Sequence, residues 1–264
     1  MARFQCAFLF ISLLADTIAK SSKNPVKLSK LSGSNGIIVS NFDSVSDSTN
    51  DDWWSYYNYQ RTSVGGDFDF NGDGVADIII GAPYADSRIG QIAVIYGGSS
   101  STLSQGNFDV SSLDGSNGFL ISGLSSSLYS GYTVSGAGDM NNDGYDDVII
   151  SVQYYNSLSG ISYVLYGGAS VGSSGSFDLD TFTTGTDGIT IVGDASYDYS
   201  GGSVSGGFDF NNDGYDDVII GAYGVNASSG GTYLVYGGDS IGSSGIFELS
   251  TLDGSGGFVL NGIA

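Results

Sequence analysis

Short apolar runs recur along the chain, separated by stretches rich in Gly, Ser and Asp. Ile78-Ile79-Ile80 and Val148-Ile149-Ile150 are continuous apolar runs rather than alternations. That pattern predicts strands covered on both faces, inside stacked sheets. Flanking runs predict four strands per unit: a first at 62–68, 132–139 and 203–209; a second at 77–81, 147–152 and 217–222. The third falls at 91–96, 161–166 and 232–236, and the fourth at 119–122, 189–192 and 258–260. No window shows helical periodicity. The fold class is all-β, with four-stranded antiparallel units in tandem, as in propeller blades or a β-solenoid.

The units share a fixed period. Asp69-Phe70-Asn71-Gly72-Asp73-Gly74-Val75-Ala76-Asp77 returns as Asp139-Met140-Asn141-Asn142-Asp143-Gly144-Tyr145-Asp146-Asp147. It returns again as Asp209-Phe210-Asn211-Asn212-Asp213-Gly214-Tyr215-Asp216-Asp217, 70 residues on each time (139 − 69 and 209 − 139). Tyr-Gly-Gly keeps step at Tyr96, Tyr166 and Tyr236. Between the third and fourth strands, Phe108-Asp109-Val110, Phe177-Asp178-Leu179 and Phe247-Glu248-Leu249 also recur nearly in phase. These segments are expected to wrap over the blade edge and, from their Ser and Gly content, to be mobile.

The repeated nonapeptide carries chemistry. Positions 1, 3 and 5 project oxygen side chains to one side of a tight loop, and Gly at position 6 permits the turn. Position 7 can offer its carbonyl, and Asp at position 9 closes the site. Five oxygen positions, three of them anionic, suit Ca2+, whereas Mg2+ keeps its waters and demands strict octahedral geometry. The predicted ligands are Asp69, Asn71, Asp73, Val75 and Asp77; Asp139, Asn141, Asp143, Tyr145 and Asp147; and Asp209, Asn211, Asp213, Tyr215 and Asp217. Position 12 holds Ile80, Ile150 and Ile220 rather than the Glu of an EF-hand. Without metal, carboxylates this close repel one another. Calcium is therefore expected at three structural sites, tying the first strand to the second.

Charge narrows the function. The 264 residues hold 28 acids against 7 bases, a formal net charge of −21, and no His. All the acids but Glu248 are Asp, the shorter carboxylate that a tight loop needs, and residues 89–264 contain no Lys or Arg. Imidazole-dependent catalysis is excluded. Nucleic-acid binding needs Lys and Arg and is not expected, and an anionic membrane would repel the chain. The single Cys6 cannot form an intrachain disulfide. Residues 4–15 are apolar apart from Gln5 and Ser12, too short to span a bilayer, and are followed by Thr17-Ile18-Ala19. Residues 1–19 read as a secretory signal peptide, placing the mature chain outside the cell, with no membrane insertion after cleavage. Asn226-Ala227-Ser228 is an N-glycosylation sequon. Residues 20–61 form an N-terminal segment with one outer strand and an aromatic, acidic insert, and 62–264 the three blades.

The period resembles the FG-GAP repeat of the integrin α-chain β-propeller. Thr62-Ser63-Val64, the nonapeptide and Gly81-Ala82-Pro83 carry the match in the first copy. Ser130-Gly131 and Ser200-Gly201 carry it in the others, and 113–119 and 252–258 match the L-D-G-x-x-G-F element of bacterial-type repeats. The FG and GAP ends are degenerate: Gln60-Arg61 stands at FG in copy one and Ser151-Val152-Gln153 at GAP in copy two. The resemblance implies three blades of a larger propeller. Three cannot close in the usual way, so the chain is expected to be a fragment of a longer reading frame, to associate with another chain's blades, or to form an open arc. It also implies a non-enzymatic adhesion or recognition module with an extracellular protein or glycan ligand. The insert at 41–60, with Trp53, Trp54, Tyr56, Tyr57 and Tyr59, is a candidate contact surface or a cover for the first blade. The alternatives are the accessory propeller of a larger secreted hydrolase and a structural segment of a surface repeat protein.

Overall fold

A computed structural model describes residues 38–40, 62–98, 107–126, 128–239, 241 and 245–262. The signal-peptide reading, Cys6 and the aromatic insert lie outside the described residues.

The chain divides into two units. The smaller contains β1 (Ile38–Ser40) and β5 (Asn107–Asp109), paired in parallel, with Val39 and Phe108 buried. The larger contains three sheets in sequence. The first has β2 (Ser63–Phe68), β3 (Asp77–Ala82), β4 (Gln91–Ile95) and β6 (Gly118–Ser122). The second has β7 (Val134–Gly138), β8 (Asp147–Val152), β9 (Ile161–Leu165) and β11 (Gly188–Val192). The third has β12 (Ser200–Phe208), β13 (Asp217–Ala222), β14 (Gly231–Val235) and β16 (Gly257–Asn261). All four strands of each sheet pair antiparallel in chain order. Short helical turns α1 (Ala85–Arg88) and α2 (Val225–Ser228) follow β3 and β13.

The first two sheets gain a fifth strand that the four-strand expectation lacks. β10 (Ser176–Asp178) pairs in parallel with β6, and β15 (Ile246–Glu248) with β11. Each later repeat thus reaches back to the outer edge of the preceding blade. The segments expected to be loose wraps are pinned here: Leu179 and Leu249 are buried, each in a 3-10 turn after its strand.

The continuous apolar runs sit where sheets stack. β8 is buried at every residue, with a sheet on either side. Phe70, Ile79, Phe119, Val148 and Leu165 form one core cluster, and Met140, Ile149, Val164, Val218 and Ile220 another. Full burial of such a side chain is worth about 1.5–3 kcal/mol. A bulge interrupts pairing just before each Asp loop, between Gly66 and Phe68, Gly136 and Gly138, and Gly206 and Phe208. It bends the strand into the loop.

Candidate metal centre

Each nonapeptide links the first strand of a blade to the second and builds its turn from its own carboxylates. In the first loop, the Asp73 and Gly74 amides donate to Asp69 Oδ1 and Oδ2, at 3.0 and 2.7 Å. The Asp73 amide is shared with Asn71 Oδ1 at 3.0 Å, and the Val75 amide donates to Asp73 Oδ1 at 2.8 Å. Asn71 Nδ2 donates to Asp73 Oδ2. The same five bonds recur around Asp139, Asn141 and Asp143, and around Asp209, Asn211 and Asp213. At position 6, Gly74, Gly144 and Gly214 have φ of +82°, +92° and +93°, with open space where a Cβ would stand. Glycine is required there by conformation and not by crowding.

Position 9 points inward. Asp77 accepts from Phe70 N at 2.9 Å and Gly97 N at 2.8 Å. Asp147 accepts from Met140 N and Gly167 N, at 3.0 and 2.9 Å, and Asp217 from Phe210 N and Gly237 N, at 2.8 and 2.9 Å. This Asp straps together the loop, the start of the second strand and the Tyr-Gly-Gly after the third. At position 7, Val75, Tyr145 and Tyr215 give their amides to the position-5 Asp.

Among the described residues no three acids, His or Cys come together in metal-holding geometry, because the loop carboxylates are turned onto backbone amides. The donor set nevertheless fits a hard cation. It is all oxygen, and each carboxylate oxygen bound to one amide keeps a further lone pair. The three position-9 acids are buried, and residues 89–264 offer no Lys or Arg to balance them.

The acidities reflect this imbalance. Burial, with Asp73 and Asp69 adding repulsion, pushes Asp77 up to about 6 against the amides of Gly97 and Phe70. Burial likewise raises Asp147 well above the usual range, and raises Asp217. A folded-state pKa above the unfolded value means that the folded chain binds the proton more tightly. Asp77 therefore favours folding most below about 4, and that contribution is lost as pH rises to about 6. Metal-free chain should melt at a higher temperature at pH 5 than at pH 7 in scanning calorimetry, and saturating Ca2+ should shrink the difference. A metal-free melting temperature that falls from pH 7 to pH 5 contradicts the assignment.

Two further groups of residues went unread in the sequence. Position 8, a spacer in the motif, holds Asp146 and Asp216, whose Oδ2 atoms accept the amides of Asp69 and Asp139 one blade back. The contrast of Ala76 with Asp146 and Asp216 was the available signal. The second group is a set of tyrosine rings, half-buried except for the exposed Tyr223, at the strand ends away from the Asp loops. Tyr84 packs on Tyr129 at 5.2 Å between centroids, Tyr129 on Tyr154 at 4.8 Å, and Tyr132 on Tyr154 at 5.8 Å. Tyr199 stacks on Tyr223 at 4.7 Å. Burial, with Tyr132, Tyr223, Tyr84 and Tyr129 nearby, pushes the Tyr154 phenol up to about 12, so it stays a neutral hydrogen-bond donor. Its signal was the 70-residue spacing of Tyr84 from Tyr154 and of Tyr129 from Tyr199.

Four-stranded antiparallel sheets stacked at a 70-residue period define a repeat protein built of β-propeller blades. The repeat is FG-GAP, whose profile matches residues 61–95, 130–165 and 200–236, and the chain is an FG-GAP repeat protein. It is similar to integrin alpha-4 of Xenopus laevis, 30% identical over 162 residues, covering 59% of this chain and 14% of that one. Integrin alpha pat-2 of Caenorhabditis elegans is 28% identical over 192 residues, 69% of this chain and 14% of the relative. Integrin alpha-IIb of Homo sapiens is 28% identical over 166 residues, 60% and 14%. The chain thus spans about one seventh of the length of these relatives.

Proposed function

We propose that this chain is an extracellular, non-enzymatic propeller module that recognises a protein or glycan partner in adhesion, with calcium as its structural cation. The carrying observation is the threefold loop of Asp, Asn and Asp oxygens, set in blades whose relatives are integrin α chains. Asp69, Asn71, Asp73, the Val75 carbonyl and Asp77 would hold the first ion. Asp139, Asn141, Asp143, Tyr145 and Asp147 would hold the second, and Asp209, Asn211, Asp213, Tyr215 and Asp217 the third. Bound calcium would supply positive charge to carboxylates that have no basic partner among the described residues. The protein's residues do the rest: position 1 fixes the turn and position 9 anchors it to the core. Secretion rests on the reading of residues 1–19. Among the described residues no helix is long and apolar enough to cross a membrane.

Recognition is assigned to the tyrosine-bearing end. Its rings offer flat apolar faces and neutral hydroxyls, the chemistry that stacks on sugars or anchors a protein partner. On a printed panel of extracellular-matrix proteins and glycans, Tyr84→Ala with Tyr223→Ala should lose at least about tenfold in binding. Its melting temperature in Ca2+ should stay within a few degrees. Retained binding, with loss instead in Trp53→Ala and Trp54→Ala, would move recognition to the insert. Absence of any wild-type signal on the panel would overturn the recognition role.

A further inference from the structure

Successive Asp loops touch one another through position 8. Asp146 stands between Tyr145 and Asp147, two predicted ligands of the second loop, yet its bonds go to the first. Its Oδ2 takes the amide of Asp69 at 2.7 Å, and its own amide donates to the Asp69 carbonyl at 3.1 Å. Asp216 makes the same pair of bonds to Asp139, at 2.9 and 3.2 Å. Asp69 and Asp139 hold position 1 of the preceding loops. Position 7 adds a second contact. The Tyr145 ring lies against position 4 of the first loop, where a Cβ built on Gly72 would stand 2.6 Å from it. Tyr215 shares a hydrogen bond with Asn142, at position 4 of the second loop.

The carbonyl of position 7 and the amide of position 8 belong to one planar, trans peptide group, so they point in opposite directions. The Tyr145–Asp146 peptide thus has its oxygen for the second loop and its N–H on Asp69 of the first. The Asp69 carbonyl it meets belongs in turn to the Asp69–Phe70 peptide, whose N–H donates to Asp77 Oδ2 at 2.9 Å. One line of two peptides therefore joins position 7 of the second loop to position 9 of the first. Tyr215–Asp216 and Asp139–Met140 form the same line from the third loop to the second, ending on Asp147 Oδ2 at 3.0 Å. Hydrogen bonds in line polarise one another. A position-7 carbonyl that meets a cation makes its peptide N–H a stronger donor, and the next N–H follows. The position-1 backbone and position-9 carboxylate of the preceding loop are then held more firmly, which lowers the ordering cost when that loop takes its own ion.

We propose that the three loops bind calcium with neighbour-to-neighbour coupling through these two peptide relays, with Asp146 and Asp216 as positioning residues. The coupling rests on the calcium reading of the loops. It is reciprocal within each neighbouring pair. The first and third loops share no hydrogen bond among the described residues, so that pair is uncoupled.

Calorimetric titration of Ca2+ into three full-length chains, each with one loop emptied, provides the test. Asp213→Ala leaves the first and second loops, Asp73→Ala the second and third, and Asp143→Ala the first and third. In Asp213→Ala and Asp73→Ala, one bound ion should tighten the other by at least about fivefold. In Asp143→Ala the two ions should bind independently. Independent binding in all three chains overturns the coupling and leaves the calcium sites standing. Equal cooperativity in all three also overturns it, because coupling then passes through the fold as a whole. No ion bound in any chain removes the calcium reading and the coupling with it. Two variants of the Asp213→Ala chain locate the path. Asp146→Pro deletes the relay N–H and should abolish the coupling with both ions still bound. Asp146→Asn keeps that N–H and an acceptor for Asp69, and should keep the coupling. Coupling that survives Asp146→Pro, or is lost equally in Asp146→Asn, overturns the relay. If Asp146→Pro shows no melting transition in calcium, Asp146→Asn and the three emptied chains decide.

Discussion

Asp147→Ala is expected to lower the stability of the chain by about 3–5 kcal/mol in urea denaturation, the largest effect of any loop substitution. Asp147 is fully buried and holds the amides of Met140 and Gly167. Removing the carboxylate strands two donors, each costing about 1–3 kcal/mol when buried without a partner. Asp217→Ala should cost less, since the Phe210 side of that strap is open to water. Asp147→Asn keeps one acceptor and removes a charge that burial disfavours, so it should cost less than half of the Ala change. A loss under about 1 kcal/mol for Asp147→Ala would mean that the strap is not a main support of the second blade.

How these features stood in the sequence varies with the distance over which each is made. The four strands of each blade were legible because runs such as Ile78-Ile79-Ile80 recur at a fixed period and local chemistry sets their ends. The Asp loop starts the second strand at Asp77, Asp147 and Asp217 in all three sheets. β10 and β15 were not legible as strands. Each is three residues long, too short for periodicity, and each pairs with a strand of the preceding repeat, at Phe177 to Ile121 and Phe247 to Ile191. The bulges before the loops were hidden for a related reason: one unpaired residue leaves no mark on an apolar pattern.

The loop was read in part. Positions 1, 3, 5 and 6 act within nine residues, so their spacing exposed them. Position 9 was read as closing the loop, but its amide partners at Gly97, Gly167 and Gly237 lie 20 residues on. Position 8 acts 77 residues away, on Asp69 and Asp139, and looked like a spacer. The tyrosines are spread over more than 100 residues and meet only once the sheets stack.

The net charge of −21 also takes on a different meaning. Nine of the acids stand at positions 1, 5 and 9 of the three loops, and three Ca2+ would bring the charge to −15. Without them, the buried acids at position 9 stand among like charges. Calcium present at about 100-fold above its dissociation constant stabilises a folded chain by about 2.7 kcal/mol per site, roughly 8 kcal/mol for three. At about 2–4 °C per kcal/mol for a chain of this size, chelation should lower the melting temperature by on the order of 20 °C. Asp143→Ala should remove about a third of that shift and leave the other two loops loaded.

Isothermal titration of Ca2+ into the metal-free chain tests the central claim most directly. Three ions bound per chain, and two in Asp143→Ala, is the predicted result. No binding heat, together with the same melting temperature in calcium and in chelator, would contradict the assignment of these loops as calcium sites.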